Sequence, residues 1–172
     1  MNFVRTHQIK SGDKIRLADI PTRCGGPFVG KKDAREFTDN MNQEIRELQY
    51  RQFVEGKQGL LIVLQAPDAA GKDGLIRKVL GQMNPQGCRT YPFKAPTRKE
   101  LSHDFLWRVH HCTPARGHVS IFNRSHYEDV LVVRVEDLVP KSVWSERYDI
   151  INGFEKNLKA SGTTILKFYL HI

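Results

Sequence analysis

Cysteine is scarce in this chain and poorly placed for chemistry. Cys24, Cys88 and Cys112 are odd in number and widely separated, which supports neither a disulfide framework nor a zinc site. The run His110-His111-Cys112 has ligand-type side chains, but adjacent residues on a helix point in different directions. No second ligand pair follows at suitable spacing, so the run reads as a helix end ahead of Pro114. Long apolar stretches are also missing: nothing approaches the roughly 18 residues that a membrane span requires, so no membrane partner is expected. The opening residues Met1 to His7 lack the apolar core of a signal peptide, and a cytoplasmic location is expected. Internal repeats and low-complexity tracts are absent, as is any RNA-binding or helix-turn-helix signature. Acidic residues are in deficit, 19 against 27 Lys and Arg, for a net charge of +8.

What is present is a chain of 172 residues, 40% hydrophobic and 27% charged, enough for one α/β domain with a proper core and short for two. The positive excess is local. Between Gly71 and Arg116 nine basic residues face three acidic ones, and such a field attracts polyanions, whether nucleotides, polyphosphate or nucleic acid.

The most informative stretch runs from Leu60 to Gly74. Leu60-Leu61-Ile62-Val63-Leu64 suits a strand covered on both faces, and a helical period opens at Leu75, Ile76, Val79, Leu80 and Met83. Between them, Gln65-Ala66-Pro67-Asp68-Ala69-Ala70-Gly71-Lys72-Asp73-Gly74 forms the strand-loop-lysine-helix arrangement of a phosphate-binding loop. Backbone N–H groups at the helix start face an anion there, and the lysine reaches the terminal phosphates. The match to G-x-x-x-x-G-K-[ST] is imperfect, with Ala66 in place of the first glycine and Asp73 in place of the magnesium-binding hydroxyl.

Along the rest of the chain, residues 1 to about 30 read as an extended arm with turn pairs at Ser11-Gly12 and Cys24-Gly25-Gly26-Pro27. Asp33-Ala34-Arg35-Glu36 has the form of a capping box. It precedes a helix over about 34–55 whose Phe37, Met41, Ile45 and Leu48 share one face. Further strands are predicted at Cys88 to Phe93, His118 to Phe122 and Thr163 to Leu170. A helix is expected from Thr97-Arg98-Lys99-Glu100 with Leu101, Phe105 and Val109 inward. Another is marked by Trp144, Tyr148, Ile151, Phe154 or Glu155, and Leu158. Strands separated by helices imply a parallel sheet. The division expected is an N-terminal arm and helix over 1–57 and a P-loop-like α/β core over 58–172. The polar cluster from Asn123 to Asp129 lies past the carboxyl end of a buried strand, where such sheets bind ligands. The alternative for it is helix capping by Asn123 or Ser125, with Glu128 and Asp129 near the dipole.

Five motifs in order resemble the polyphosphate kinase 2 family of P-loop phosphotransferases: Asp68 to Gly74, Asn84-Pro85-Gln86-Gly87, Phe93-Lys94-Ala95-Pro96, His103 to Arg108, and Phe122 to Val132. The resemblance covers roughly 35–172. It implies a P-loop kinase-like three-layer α/β fold, a parallel sheet with helices on both faces and an N-terminal helical extension. It implies transfer of phosphate from inorganic polyphosphate to AMP or ADP, with Mg2+ as cofactor. Lys72 would contact the transferring phosphate and the backbone from Ala69 to Gly74 would cradle it. Asp68 would help hold magnesium or assist the accepting phosphate, Arg124 would neutralise developing charge, and Lys94 would line the anion path. Asn123, Ser125, Tyr127 and Glu128 would contact nucleotide or polyphosphate. Because Asn123 stands where many P-loop enzymes place a magnesium-binding acid, Glu128 or Asp129 are further candidate ligands. Family members continue into a basic helical lid and the rest of the sheet, so this sheet is expected to be incomplete and its exposed apolar surface to favour a homo-oligomer. The other readings are an ATP-dependent nucleoside monophosphate kinase, an inactive truncated product that only oligomerises, and a basic nucleic-acid-binding module, the last disfavoured.

Overall fold

The structure is a computed structural model, and it describes residues 7–10, 12–23, 26 and 28–172. The reading of Met1 to Thr6 and the turn residues expected at Ser11, Cys24, Gly25 and Pro27 lie outside the described residues. Ten elements form the body of the fold: α1 (Lys31–Glu55), β1 (Gly59–Gln65), α2 (Lys72–Lys78), β2 (Cys88–Pro92), α3 (Arg98–Leu101), α4 (Trp107–His110), β3 (Val119–Asn123), α5 (Glu128–Val135), α6 (Lys141–Ala160) and β4 (Thr163–Tyr169). The four strands pair in the order β2-β3-β1-β4, all parallel. β1 is therefore interior, which explains why its apolar run does not alternate: Leu61 through Leu64 are all buried.

Alternate residues of β1 feed two cores. Leu61 and Val63 pack with Phe93, Leu106, Val109, Phe122, Phe154 and Leu158 beneath α4 and α6. Ile62 and Leu64 pack with Val119, Ile121, Leu80 and Met83, with Ile45 of α1 and Leu75 and Ile76 of α2 against them. Helices thus cover both faces of the sheet, as the three-layer expectation requires. Among the described residues no helix is long and apolar enough to cross a membrane.

Several local expectations are corrected. α1 begins at Lys31 with Gly30 as its N-cap and no side-chain cap, so Asp33 sits inside the first turn, where its negative charge is attracted by the helix dipole's positive end. The stripe on α1 is rotated from its apolar reading: Phe37 and Leu48 are exposed, while Asn42 and Gln49 are buried. The cause is backbone chemistry. Asn42 donates to the Lys78 carbonyl at 3.1 Å, and Gln49 accepts from the Asn84 N–H at 3.0 Å, so two polar side chains satisfy main-chain groups just after the P-loop helix. That helix is short, ending at Lys78 and passing into a 3-10 turn at Leu80–Gln82. The capping box at Thr97 and Glu100 is present with both hydrogen bonds, but the helix stops at Leu101, which is exposed. The Asp104 carboxylate then accepts from the Leu106 N–H at 3.0 Å and starts the separate α4. Neither Asn123 nor Ser125 caps α5, whose N-cap is Tyr127.

Candidate active site

The carboxyl ends of β1 and β3 lie side by side, with Leu64 opposite Asn123, and the loops that leave them form the walls of one cavity of about 610 Å³. The β1 loop contributes Asp68 to Asp73, the segment after β2 contributes Phe93 and Lys94, and the β3 loop contributes Asn123 and Arg124. The loop turns through left-handed backbone at Ala69 and Gly71, with φ of 61° and 89°. Gly71 meets this at no steric cost, whereas Ala69 and Arg124, at φ 62°, hold non-glycine residues in a sparsely populated region on either side of the cavity. The first i to i−4 bond of α2 is made by Leu75 to Gly71. The amides of Lys72, Asp73 and Gly74 precede it and are the donors a helix start offers to an anion.

Lys72, Arg124, Asp68 and Asp73 each have a defined partner. Lys72 is nine-tenths buried, and its Nζ donates to the carbonyls of Ala66 at 2.9 Å and Pro67 at 3.1 Å. Arg124 donates to the Asp68 carboxylate at 2.6 Å. Asn123 donates from its amide to Asp73 Oδ1 at 2.7 Å. These last two contacts tie the β1 loop to the β3 loop. Lys94 is held from behind: Arg108 donates to its carbonyl at 2.8 Å. Arg108 is fixed in turn by Asp129 at 3.5 Å and lies over the Phe93 ring. Burial pushes the Asp129 carboxyl up, against the pull of Arg108 and Arg147.

The expected site residues therefore divide. Asp68, Ala69, Ala70, Gly71, Lys72, Asp73, Lys94, Asn123 and Arg124 come together, with Gly74 one residue further into α2. Ser125 is fully buried and lies outside the cavity; its Oγ accepts from Gln65 Nε2 at 2.9 Å and from the Tyr127 N–H at 3.2 Å. Tyr127 and Glu128 also fall outside the lining. Asp129, a candidate metal ligand from sequence, is committed to the two arginines.

A buried network supports the β3 loop. His126 is wholly buried and its Nε2 lies 3.4 Å from Glu155 Oε1. The Tyr127 hydroxyl donates to the same oxygen at 2.6 Å, and Lys167 reaches Glu155 Oε2 at 2.8 Å. Burial alone would raise the Glu155 carboxyl, but hydrogen bonds from His126, Lys167 and Tyr127 bring it down to about 2. Burial and the Glu155 hydrogen bond push the Tyr127 phenol up to about 12. Sequence reasoning missed this network and the Arg108 brace. Arg108 stood in a quoted motif without a role, and Glu155 showed only as one of two alternatives for an inward helical position.

For a divalent cation, the cavity offers Asp68 and Asp73, each with one carboxylate oxygen engaged by a neighbour. Among the described residues no group of three His, Cys, Asp or Glu side chains could enclose a metal. This donor set fits magnesium in its usual phosphate-enzyme mode, with one or two carboxylates completed by substrate oxygens and water.

A family model described as polyphosphate kinase 2 matches residues 29–172. An AMP/ADP-polyphosphate phosphotransferase of Meiothermus ruber is 53% identical over 143 residues, 83% of this chain and 54% of that protein. An ADP-polyphosphate phosphotransferase of Rhodopseudomonas palustris is 40% identical, covering 98% of this chain and 63% of that protein. The crystal structure of polyphosphate kinase 2 from Arthrobacter aurescens TC1 superposes with a TM-score of 0.90 at 40% identity, over 98% of this chain and 61% of that one. The chain thus spans between half and two thirds of the length of these proteins.

Proposed function

This chain belongs to the polyphosphate kinase 2 family, and we propose that it transfers a phosphoryl group from inorganic polyphosphate to AMP or ADP, forming ADP or ATP, with the reverse reaction available to the same site. The observation that carries the reading is the convergence of Lys72, Lys94 and Arg124 with the phosphate loop on one cavity. A phosphate oxygen of the nucleotide attacks the terminal phosphorus of polyphosphate. The bond from that phosphorus to the bridging oxygen breaks, and the shortened polyphosphate leaves with the electron pair. No covalent enzyme intermediate is needed. The protein's part is positioning and charge stabilisation.

Lys72 exchanges its two loop carbonyls for oxygens of the transferring phosphate, while the amides of the α2 start hold that phosphate in place. Arg124 carries the charge that grows on the bridging oxygen and the equatorial oxygens in the transition state. Lys94, on the opposite wall, guides the anionic chain. Ser125 and Tyr127 serve the site through the segment they fix. Asp68 and Asp73 are the residues that would hold Mg2+, which when bound screens phosphate oxygens from one another.

Purified protein with long-chain polyphosphate, magnesium and ADP should form ATP, and Lys72→Ala should lower that rate by roughly 10² to 10³. If AMP or ADP is phosphorylated only with ATP as donor, or Lys72→Ala leaves the rate unchanged, the assignment fails.

A further inference from the structure

A second and larger cavity, of about 780 Å³, lies away from the site between α1 and the carboxyl-terminal turn of α2. Its walls carry Lys31, Arg35 and Arg46 from α1 and Arg77 and Lys78 from α2, against one acid, Asp39. Among the described residues no ion pair joins Asp39 to any of the five. Arg46 is held only by neutral acceptors, the carbonyl and side-chain oxygens of Gln82, so its charge is not cancelled. Lys31 also sits in the first turn of α1, where the helix dipole disfavours a cation. Five like charges that repel one another, one of them against a dipole, lower the stability of the fold; a bound polyanion reverses that balance.

The groove is connected to the site by a single element. α2 begins with Lys72 and Asp73 in the phosphate-loop cavity and ends with Arg77 and Lys78 in the groove. A seven-residue helix separates its ends by only about 9 Å, within reach of a few linked phosphates. Among the described residues the lining of the groove contains no aromatic side chain, so these residues offer no platform for stacking nucleobases. Its chemistry suits a chain of phosphates without bases.

We propose that this groove is a docking track for the distal part of a long polyphosphate, holding the chain while its terminal phosphate lies in the loop cavity. The proposal rests on the donor assignment made above. It predicts that the site distinguishes donors by length: a short polyphosphate fills only the loop cavity, and a long one gains the groove.

The test compares Lys31→Gln/Arg35→Gln with the charge-matched control Lys156→Gln/Lys159→Gln, two exposed lysines on α6. Arg77→Gln probes the opposite wall should the double variant prove poorly folded by thermal melting. The expected result is a rise of roughly fivefold in KM for long-chain polyphosphate, with kcat and the KM for tripolyphosphate unchanged, and no such rise in the control. Equilibrium binding of long-chain polyphosphate without nucleotide should weaken by a similar factor and lose part of its salt dependence. Binding reads the groove whether or not phosphate is transferred, so absence of turnover with either donor counts against the function, and unchanged long-chain binding in the groove variants counts against the track. Equal losses in the α6 control, equal losses for tripolyphosphate, or displacement of polyphosphate by single-stranded RNA at equal phosphate concentration would each overturn the proposal.

Discussion

Replacing Glu155 by glutamine should convert a pH-sensitive fold into a less sensitive and weaker one. The carboxylate is buried to 4% exposure and receives hydrogen bonds from His126, Tyr127 and Lys167, and its pKa falls from 4.5 to about 2 on folding. At about 1.4 kcal/mol per pKa unit this difference contributes on the order of 3 kcal/mol to stability at neutral pH. Because the folded value is the lower one, the unfolded chain takes up the proton first as acid is added. The contribution is therefore complete above about pH 5 and drains away as the pH falls toward 2, with about half of it remaining at pH 3. Glutamine keeps the shape and loses the charge. Urea unfolding at pH 7 should show Glu155→Gln less stable by about 3 kcal/mol, and the gap to wild type should narrow to about half by pH 3. A gap that stays constant between pH 7 and pH 3 would mean the loss is one of packing rather than of ionisation, and the reasoning would be refuted.

Two further outcomes are expected. Arg124→Ala should lower the rate of ATP formation from ADP and polyphosphate by about 10³; a steady-state rate within tenfold of wild type would remove Arg124 from the transition state. Gly87→Ala should destabilise the protein by about 1 to 3 kcal/mol, because a Cβ there would meet Gln49 Nε2 at 2.5 Å and the Phe53 ring at 2.7 Å. Denaturant midpoints check it, and activity per folded molecule should not change.

The sheet was legible because its strands are written in local chemistry. Leu60 to Leu64 is an apolar run, and Val119 to Phe122 is apolar but for Ser120; both are too short for helices and bounded by glycine or polar residues, as buried parallel strands are. The strand-loop-helix path through Lys72 was legible for the same reason, since the glycine-lysine pair separates an apolar run from a new helical period. The inward face of α1 was not. Asn42 and Gln49 are buried by backbone partners some 35 residues away, and hydrophobic periodicity carries no trace of a hydrogen bond to a distant carbonyl. The network around Glu155 escaped for a related reason, because its four members come from the β3 loop, α5's start, α6 and β4. A single acidic residue at an inward helical position signals a partner without saying which one.

The two departures of the phosphate loop from its usual pattern become one arrangement in three dimensions. Asp73, which replaces a hydroxyl, receives the amide of Asn123, which replaces an acid; Asp68 receives the guanidinium of Arg124. Two carboxylates, Asp68 before α2 and Asp73 in its first turn, are thus matched by two donors on the consecutive residues Asn123 and Arg124 at the end of β3, and Lys72 and Arg124 already have acceptors. On the proposed function, phosphate binding would exchange acceptors at Lys72 and Arg124 instead of adding contacts to free charges. In the proposed reaction Arg124 would leave Asp68 for a phosphate oxygen only where that oxygen is the stronger acceptor, and the charge on the bridging oxygen would peak in the transition state. An arginine so placed contributes more to kcat than to ground-state binding, so Arg124→Ala should leave the KM for polyphosphate within a few-fold of wild type while the turnover collapses. A variant whose KM rises by as much as its kcat falls would instead make Arg124 a binding residue and the Asp68 contact a mere ion pair.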